Sequence, residues 1–278
     1  MADPISLSAL FQDSLNRTAR LVVPSLPFAM LFVVATGILV WAATALPEGT
    51  TGFALFSVLS LATLFAHSLF SASMYRATLT PAGGLLHGTW KLTLAWLLIM
   101  VVASIGATII LLFFSLIGAS LGVVSGEAGQ EITDMTAQMR AGGTFWPLFA
   151  MFVLTLLALF WFAVRMMLFA GATVIRSRVH VFRSWSWTKG HVRTLAPLLI
   201  VLIIAPLAVL TAAAISLSET VIGVGDTPPQ AGLAAALSTL IMLPSAWLGH
   251  GFAASALAWL LPEEGDQTTT PSANKASI

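Results

Sequence analysis

Three ionisable side chains, His67, Arg165 and His250, stand inside long apolar runs of this chain, where each is costly to bury and where charge points to function by default. Arg165 is separated from the next basic residue, Arg176, by eleven positions, about 16 Å of helix. That depth predicts that its guanidinium faces protein or a water-filled recess. One reading joins Arg165, His67 and His250, with Ser68, Ser71 and Ser245, in an inward-open polar groove that takes an anionic headgroup or a polar substrate. The other has Arg165 snorkelling or bonding free carbonyls, and each histidine packed singly as a helix contact. Two separated histidines are too few for a metal site, so no metal and no cofactor is expected.

A second set of residues lies at the ends of the apolar runs. Trp185 and Trp187 alternate with Arg178, Arg183, Lys189 and Arg193, and Arg20 and Lys91 hold comparable places earlier in the chain. Indole rings settle at headgroup depth and each cation near an anionic surface is worth about 1 kcal/mol, so this set is expected to touch lipid headgroups. Simple anchoring is the plainer account of the same residues. Catalytic patterns are missing: Ser245 and His250 lie close, but no oxyanion-hole pattern surrounds them, and the chain has no phosphate loop or dinucleotide fingerprint. None of the eleven carboxylates falls in mid-span, which argues against a proton-driven cation pump.

The elements that position these residues follow from composition. Of 278 residues 58% are hydrophobic and only 8% charged, and apolar runs near 22–46, 52–75, 92–122, 145–175, 195–217 and 231–261 are each long enough to cross about 30 Å of hydrocarbon. Continuous runs of this length are helices, because a barrel strand is short and alternating. The expected fold is all-α, polytopic, with six transmembrane helices and no separate soluble domain. Eleven of the twelve Lys and Arg residues fall on one side of this pattern, and only Arg140 on the other. By the positive-inside rule both termini and the second and fourth connections are cytoplasmic. The other side carries Glu48, Glu127, Glu131, Asp134, Glu219 and Asp226, with Trp41 and Trp146 as anchors there and Trp90, Trp185 and Trp187 at the inner interface. A net charge of +1 gives no nucleic-acid surface, and the absence of cysteine excludes disulfides and thiolate chemistry. Asp3, Asp13, Arg17 and Arg20 interrupt the N-terminus too early for a signal peptide.

A basic, amphipathic segment precedes three of the spans: NRTAR (16–20), HGTWK (87–91) and KGHVR (189–193). In the first, Leu7, Leu10, Phe11, Ser14 and Thr18 share one face, with Asp3 and Pro4 as a helix start. The pattern suggests a threefold repeat of interfacial helix plus hairpin, with units 1–77, 78–176 and 177–261 inside one membrane domain, 1–261. Ile132, Met135 and Met139 suggest a short helix on the outer surface, and 262–278 reads as a disordered cytoplasmic tail. Pro206 and Pro244 interrupt the last two spans. The small pairs Gly118–Gly122 and Ala208–Ala212 suit close helix approach or a homo-oligomer contact.

The stretch from Arg165 through Ser184, Trp185, Thr188, Lys189 and Gly190 to Arg193 resembles the membrane domain fused to some bacterial glycerophosphoryl diester phosphodiesterases, and related six-helix inner-membrane proteins. The likeness covers the whole chain in topology and about 45 residues in letters. It implies a bacterial cytoplasmic (inner) membrane protein with an interfacial helix before each hairpin. It does not imply the phosphodiesterase reaction, whose catalytic domain is a separate soluble barrel. The expectation is a non-catalytic, lipid-contacting scaffold or assembly factor whose partners are membrane lipids and a membrane protein or a second copy. The alternative is a transporter or channel for a small or lipidic anion that uses Arg165.

Overall fold

The computed structural model describes residues 6–47, 49–79, 84–120, 140, 143, 145–222 and 227–261, the side chains of 117–120 and 221 excepted. Its regular elements are α1 Leu7–Ala45, α2 Thr50–Thr78, α3 Leu85–Ser120, α4 Phe145–Met166, α5 Phe169–Arg176, α6 Arg183–Trp187, α7 Val192–Leu199, a π-helical turn Ile200–Ile204, α8 Ala205–Val221 and α9 Pro228–Leu260. Six stretches are long and apolar enough to cross a bilayer: Leu7–Ala45, Thr50–Thr78, Leu85–Leu116, Phe145–Arg176, Val192–Thr220 and Pro228–Leu260. The protein is an all-α, multi-pass membrane protein. The Asp3–Pro4 helix start, Glu48, the Ile132–Met139 segment, the Gly118–Gly122 spacing and the tail 262–278 lie outside the residues whose side chains are described.

The helices are longer than the apolar runs. NRTAR does not end a separate helix, because α1 runs unbroken for 39 residues through Pro24 and Pro27. The apolar face of its first turns is the buried one: Leu10 and Ser14 are inaccessible, and Thr18 donates to the Trp247 carbonyl of α9 at 3.4 Å. That face is covered by α9, so a hinge to lay it on the membrane surface has nothing to drive it. HGTWK likewise forms early turns of α3. Only the third segment is broken from its span, by Gly190, whose φ of +85° closes a turn that a side chain with Cβ adopts poorly.

α1 packs antiparallel along α9 and also beside α2, and the crossing with α9 is closed by glycines. A Cβ on Gly232 would lie 2.9 Å from the Gly37 carbonyl, and one on Gly251 2.8 Å from the Ser14 carbonyl. Trp247 donates its indole N–H to Ser25 at 3.0 Å, which ties α9 to the proline turn of α1. The ends of α1 and α2 are joined where Arg17, paired with Asp13 at 2.7 Å, also donates to the Thr78 carbonyl at 3.0 Å.

Burial is concentrated in the half of the bundle that carries the basic residues. One core cluster gathers Leu10, Leu168, Leu195 and Phe252, and another Tyr75, Leu92, Phe169 and Ala254. The opposite halves of α3 and α4 leave Ile105, Ile109, Phe113, Trp146, Phe149 and Phe152 exposed, as suits helices whose solvent is hydrocarbon.

Candidate functional site

The span that carries Arg165 is broken directly after it. α4 stops at Met166, Met167 and Leu168 form a turn, and α5 resumes at Phe169. A break in hydrocarbon leaves backbone groups without partners, and each unpaired one costs kilocalories, so something must replace the missing bonds. Ser184 does so. Its Oγ donates to the Arg165 carbonyl at 2.8 Å and accepts from the Leu168 N–H at 3.2 Å. Thr188 donates to the same carbonyl at 3.3 Å, and both hydroxyls are fully buried. The short helix α6 is thereby inserted into the break.

With α6 in place, Trp185 lies under the Arg165 guanidinium, 4.9 Å from Cζ to the ring centre, and meets Trp161 edge to face at 4.6 Å. Arg165 is 6% exposed, and its Nε is buried with no hydrogen-bond partner among the described residues. Trp187 stacks in the same way on Arg176, at 5.0 Å. Both tryptophans are half-buried; they hold cations of the fold and do not hang free at its surface. Around them Arg178, Arg183, Lys189 and Arg193 are exposed, as is Arg20, and Lys91 is partly so. The loop before α6 is drawn back by a hydrogen bond from the His180 N–H to Thr173 Oγ1 at 3.2 Å.

The histidines lie elsewhere. His250 joins α9 to α2: Nδ1 bonds the Ala246 carbonyl at 2.7 Å and Nε2 meets Ser71 Oγ at 3.0 Å. A carbonyl only accepts, so the neutral ring carries its proton on Nδ1 and takes the Ser71 hydroxyl proton at Nε2. This has the spacing of a nucleophile and its base, but Ser71 is wholly inaccessible and faces no cavity, so no substrate carbon has an approach. His67 is held between the rings of Phe32 and Trp96, at 5.0 and 5.3 Å. Ser68 bonds back to the Leu64 carbonyl at 2.9 Å. His250 and Ser245 line a cleft of about 290 Å³ in which Trp96 and Phe169 also take part; Arg165 does not line it. The expected single groove is thus two places, a cation under indoles at the broken span and a mostly apolar cleft beside it.

Sequence reasoning named Ser184 and Thr188 only as letters of a motif, and passed over Tyr75 and Trp96. Hydroxyls that replace backbone bonds across nineteen residues leave no periodicity to read. Among the described residues no group of three or more His, Asp or Glu could hold a metal. Comparison with family models, curated proteins and solved structures finds no match.

Proposed function

We propose that this protein is a non-catalytic scaffold of the bacterial cytoplasmic membrane, with both termini on the cytoplasmic side, that gathers anionic lipid or a membrane partner with the basic collar around α6. The observation that carries this reading is the Ser184 bridge between the Leu168 N–H and the Arg165 carbonyl. It fixes a five-residue helix, which on its own has no stability, in a position from which Arg183, Lys189 and Arg193 reach outward. A collar built on a rigid element fits recognition better than a loose loop does. The same residues, Arg165 to Arg193, carry the resemblance to the membrane domains of the phosphodiesterases, and kinship with them is part of the proposal.

The test is reconstitution in nanodiscs of mixed anionic and zwitterionic lipid, followed by mass spectrometry of retained lipid. Triple replacement of Arg183, Lys189 and Arg193 by Ala should lower anionic lipid retention by about tenfold or more, given about 1 kcal/mol for each cation. Unchanged retention would sink the collar.

A second reading, transport of a small or lipidic anion, is favoured by one observation: a guanidinium buried to 6% exposure with an unpartnered Nε. An unpaired buried charge is expensive, and an anion would relieve it. Here Arg165→Ala abolishes anion flux in proteoliposomes while collar-dependent lipid retention stays. No flux in the unaltered protein across phosphate, chloride and lysolipid removes this reading.

A further inference from the structure

The cleft beside the broken span is bounded by both irregularities of the helical bundle. Met167 and Phe169 reach it from the break, Ile203 from the π-helical turn, and Gly249 with His250 from α9. The π turn has a cause in the sequence. Pro206 has no N–H to donate one turn back, and the Ala205 N–H bonds the Ile200 carbonyl five residues behind it, widening the helix there. Two separate departures from α-helix therefore open onto one space.

The polar groups of that space are mostly spent. Both ring nitrogens of His250 are paired, and Ser245 donates to the Met242 carbonyl at 2.9 Å. Trp96 differs: it lines the cleft and keeps its indole Nε1–H buried with no acceptor. A water there would need two to four polar partners, and the walls are largely hydrocarbon and aromatic ring. The fitting guest is an apolar chain with one hydrogen-bond acceptor.

We propose that the cleft holds one acyl chain of a membrane glycerolipid, with the ester carbonyl accepting from Trp96 Nε1–H and the methylenes against Phe169, Met167 and Ile203. Depth agrees. α3 has 36 residues, a length of about 54 Å, so a centred hydrocarbon slab of about 30 Å begins about 12 Å from its start. Trp96 stands eleven residues, about 16 Å, into the helix, close beneath that boundary where ester groups lie. At about 290 Å³ the space is at the small end of ligand pockets, enough for a chain segment and too small for a whole lipid. The inference shares with the proposed function only the placement in a bilayer.

The experiment uses the full chain in vesicles of dioleoyl phosphatidylcholine, which has no anionic headgroup for the collar, doped with a phosphatidylcholine that bears a photoreactive diazirine on one acyl chain. Labelled peptides are located by mass spectrometry. Label is expected on 200–204 and 245–253 as well as on the exposed faces of α3 and α4. Gly249→Leu, which fills the cleft, should remove the first set and spare the second. Trp96→Phe keeps the volume and should reduce cleft labelling about fivefold, the weight of one neutral hydrogen bond, and an ether-linked probe should show the same loss on unaltered protein. The ether probe and Trp96→Phe keep the test open if Gly249→Leu does not fold. Absence of label from 200–204 and 245–253, or cleft labelling indifferent to Gly249→Leu, overturns the site; equal labelling by ester and ether probes overturns the role of Trp96. Loss of the collar's anionic preference alters none of these results.

Discussion

Ser184 is the residue on which the broken span depends. Replacing it by Ala leaves the buried Leu168 N–H without an acceptor, while the Arg165 carbonyl keeps Thr188. A buried donor left unpaired costs about 1 to 3 kcal/mol, so Ser184→Ala should lower the thermal midpoint in detergent clearly. Thr188→Ala should cost less, since Ser184 still serves the carbonyl and the Thr188 hydroxyl takes its own satisfaction locally, from the Ser184 carbonyl at 3.0 Å. If the two variants melt alike, the bridge is not what holds α6. The tryptophans differ in the same graded way. Trp185 meets Arg165, Trp161 and Phe162, and its truncation should cost more stability than that of Trp187, by at least the ~0.5–1 kcal/mol of a cation–π contact made in a drier site. Both roles were half visible in the letters: tryptophan next to cations at a span's end reads as an interface anchor, whereas the partner that each ring selects depends on where the chain turns back.

Among the elements, α1 and α9 form the frame against which the others rest. Their approach is set by absent side chains, so the sensitive substitutions are small ones. Gly232→Ala and Gly251→Ala each place a Cβ within 3 Å of a backbone carbonyl on α1, where nothing flexible can yield. Each should destabilise by about 1 to 3 kcal/mol through forced separation of the helices. Gly106 in α3 has nothing within 4 Å of a Cβ, and Gly106→Ala should stabilise by about 0.5 to 1 kcal/mol through helix propensity alone. Chemical unfolding of all three in one detergent would check the contrast, and a loss at Gly106 equal to that at Gly251 would refute it. The spacing pairs that sequence reasoning favoured do not mark this crossing: Ala208 and Ala212 are exposed on α8, leaving them for a contact outside the monomer. Small residues are frequent in such a chain, and spacing alone does not tell which pair meets a neighbour.

Across the whole molecule the basic residues at the ends of the spans define one pole, where the buried clusters also lie. The chain contains no cysteine, so a single introduced thiol reports orientation without background. Ser186 is exposed on α6, and Ser186→Cys in intact cells should resist a membrane-impermeant maleimide and react once the cells are opened. Reaction in intact cells would place the collar outside and remove the cytoplasmic scaffold with it. The apolar halves of α3 and α4, with few side chains between them and lipid, form the surface on which a partner helix could be accommodated without disturbing the packed pole.

What the sequence determined by itself was the class of solvent and the number of crossings. Both follow from sums over long windows: twenty apolar residues in a row are unambiguous, and so is a basic imbalance of eleven to one. The motif around Ser184 and Trp185 could also be singled out, though not what it does. The tertiary structure alone decided that the amphipathic start of α1 lies against α9, that a serine nineteen residues away mends the break after Arg165, and that this arginine and the two histidines occupy different places. Each of these is a pairwise contact between distant segments, with an energy near one hydrogen bond. In a chain made almost entirely of apolar helix, no local pattern distinguishes a face that will meet protein from one that will meet lipid.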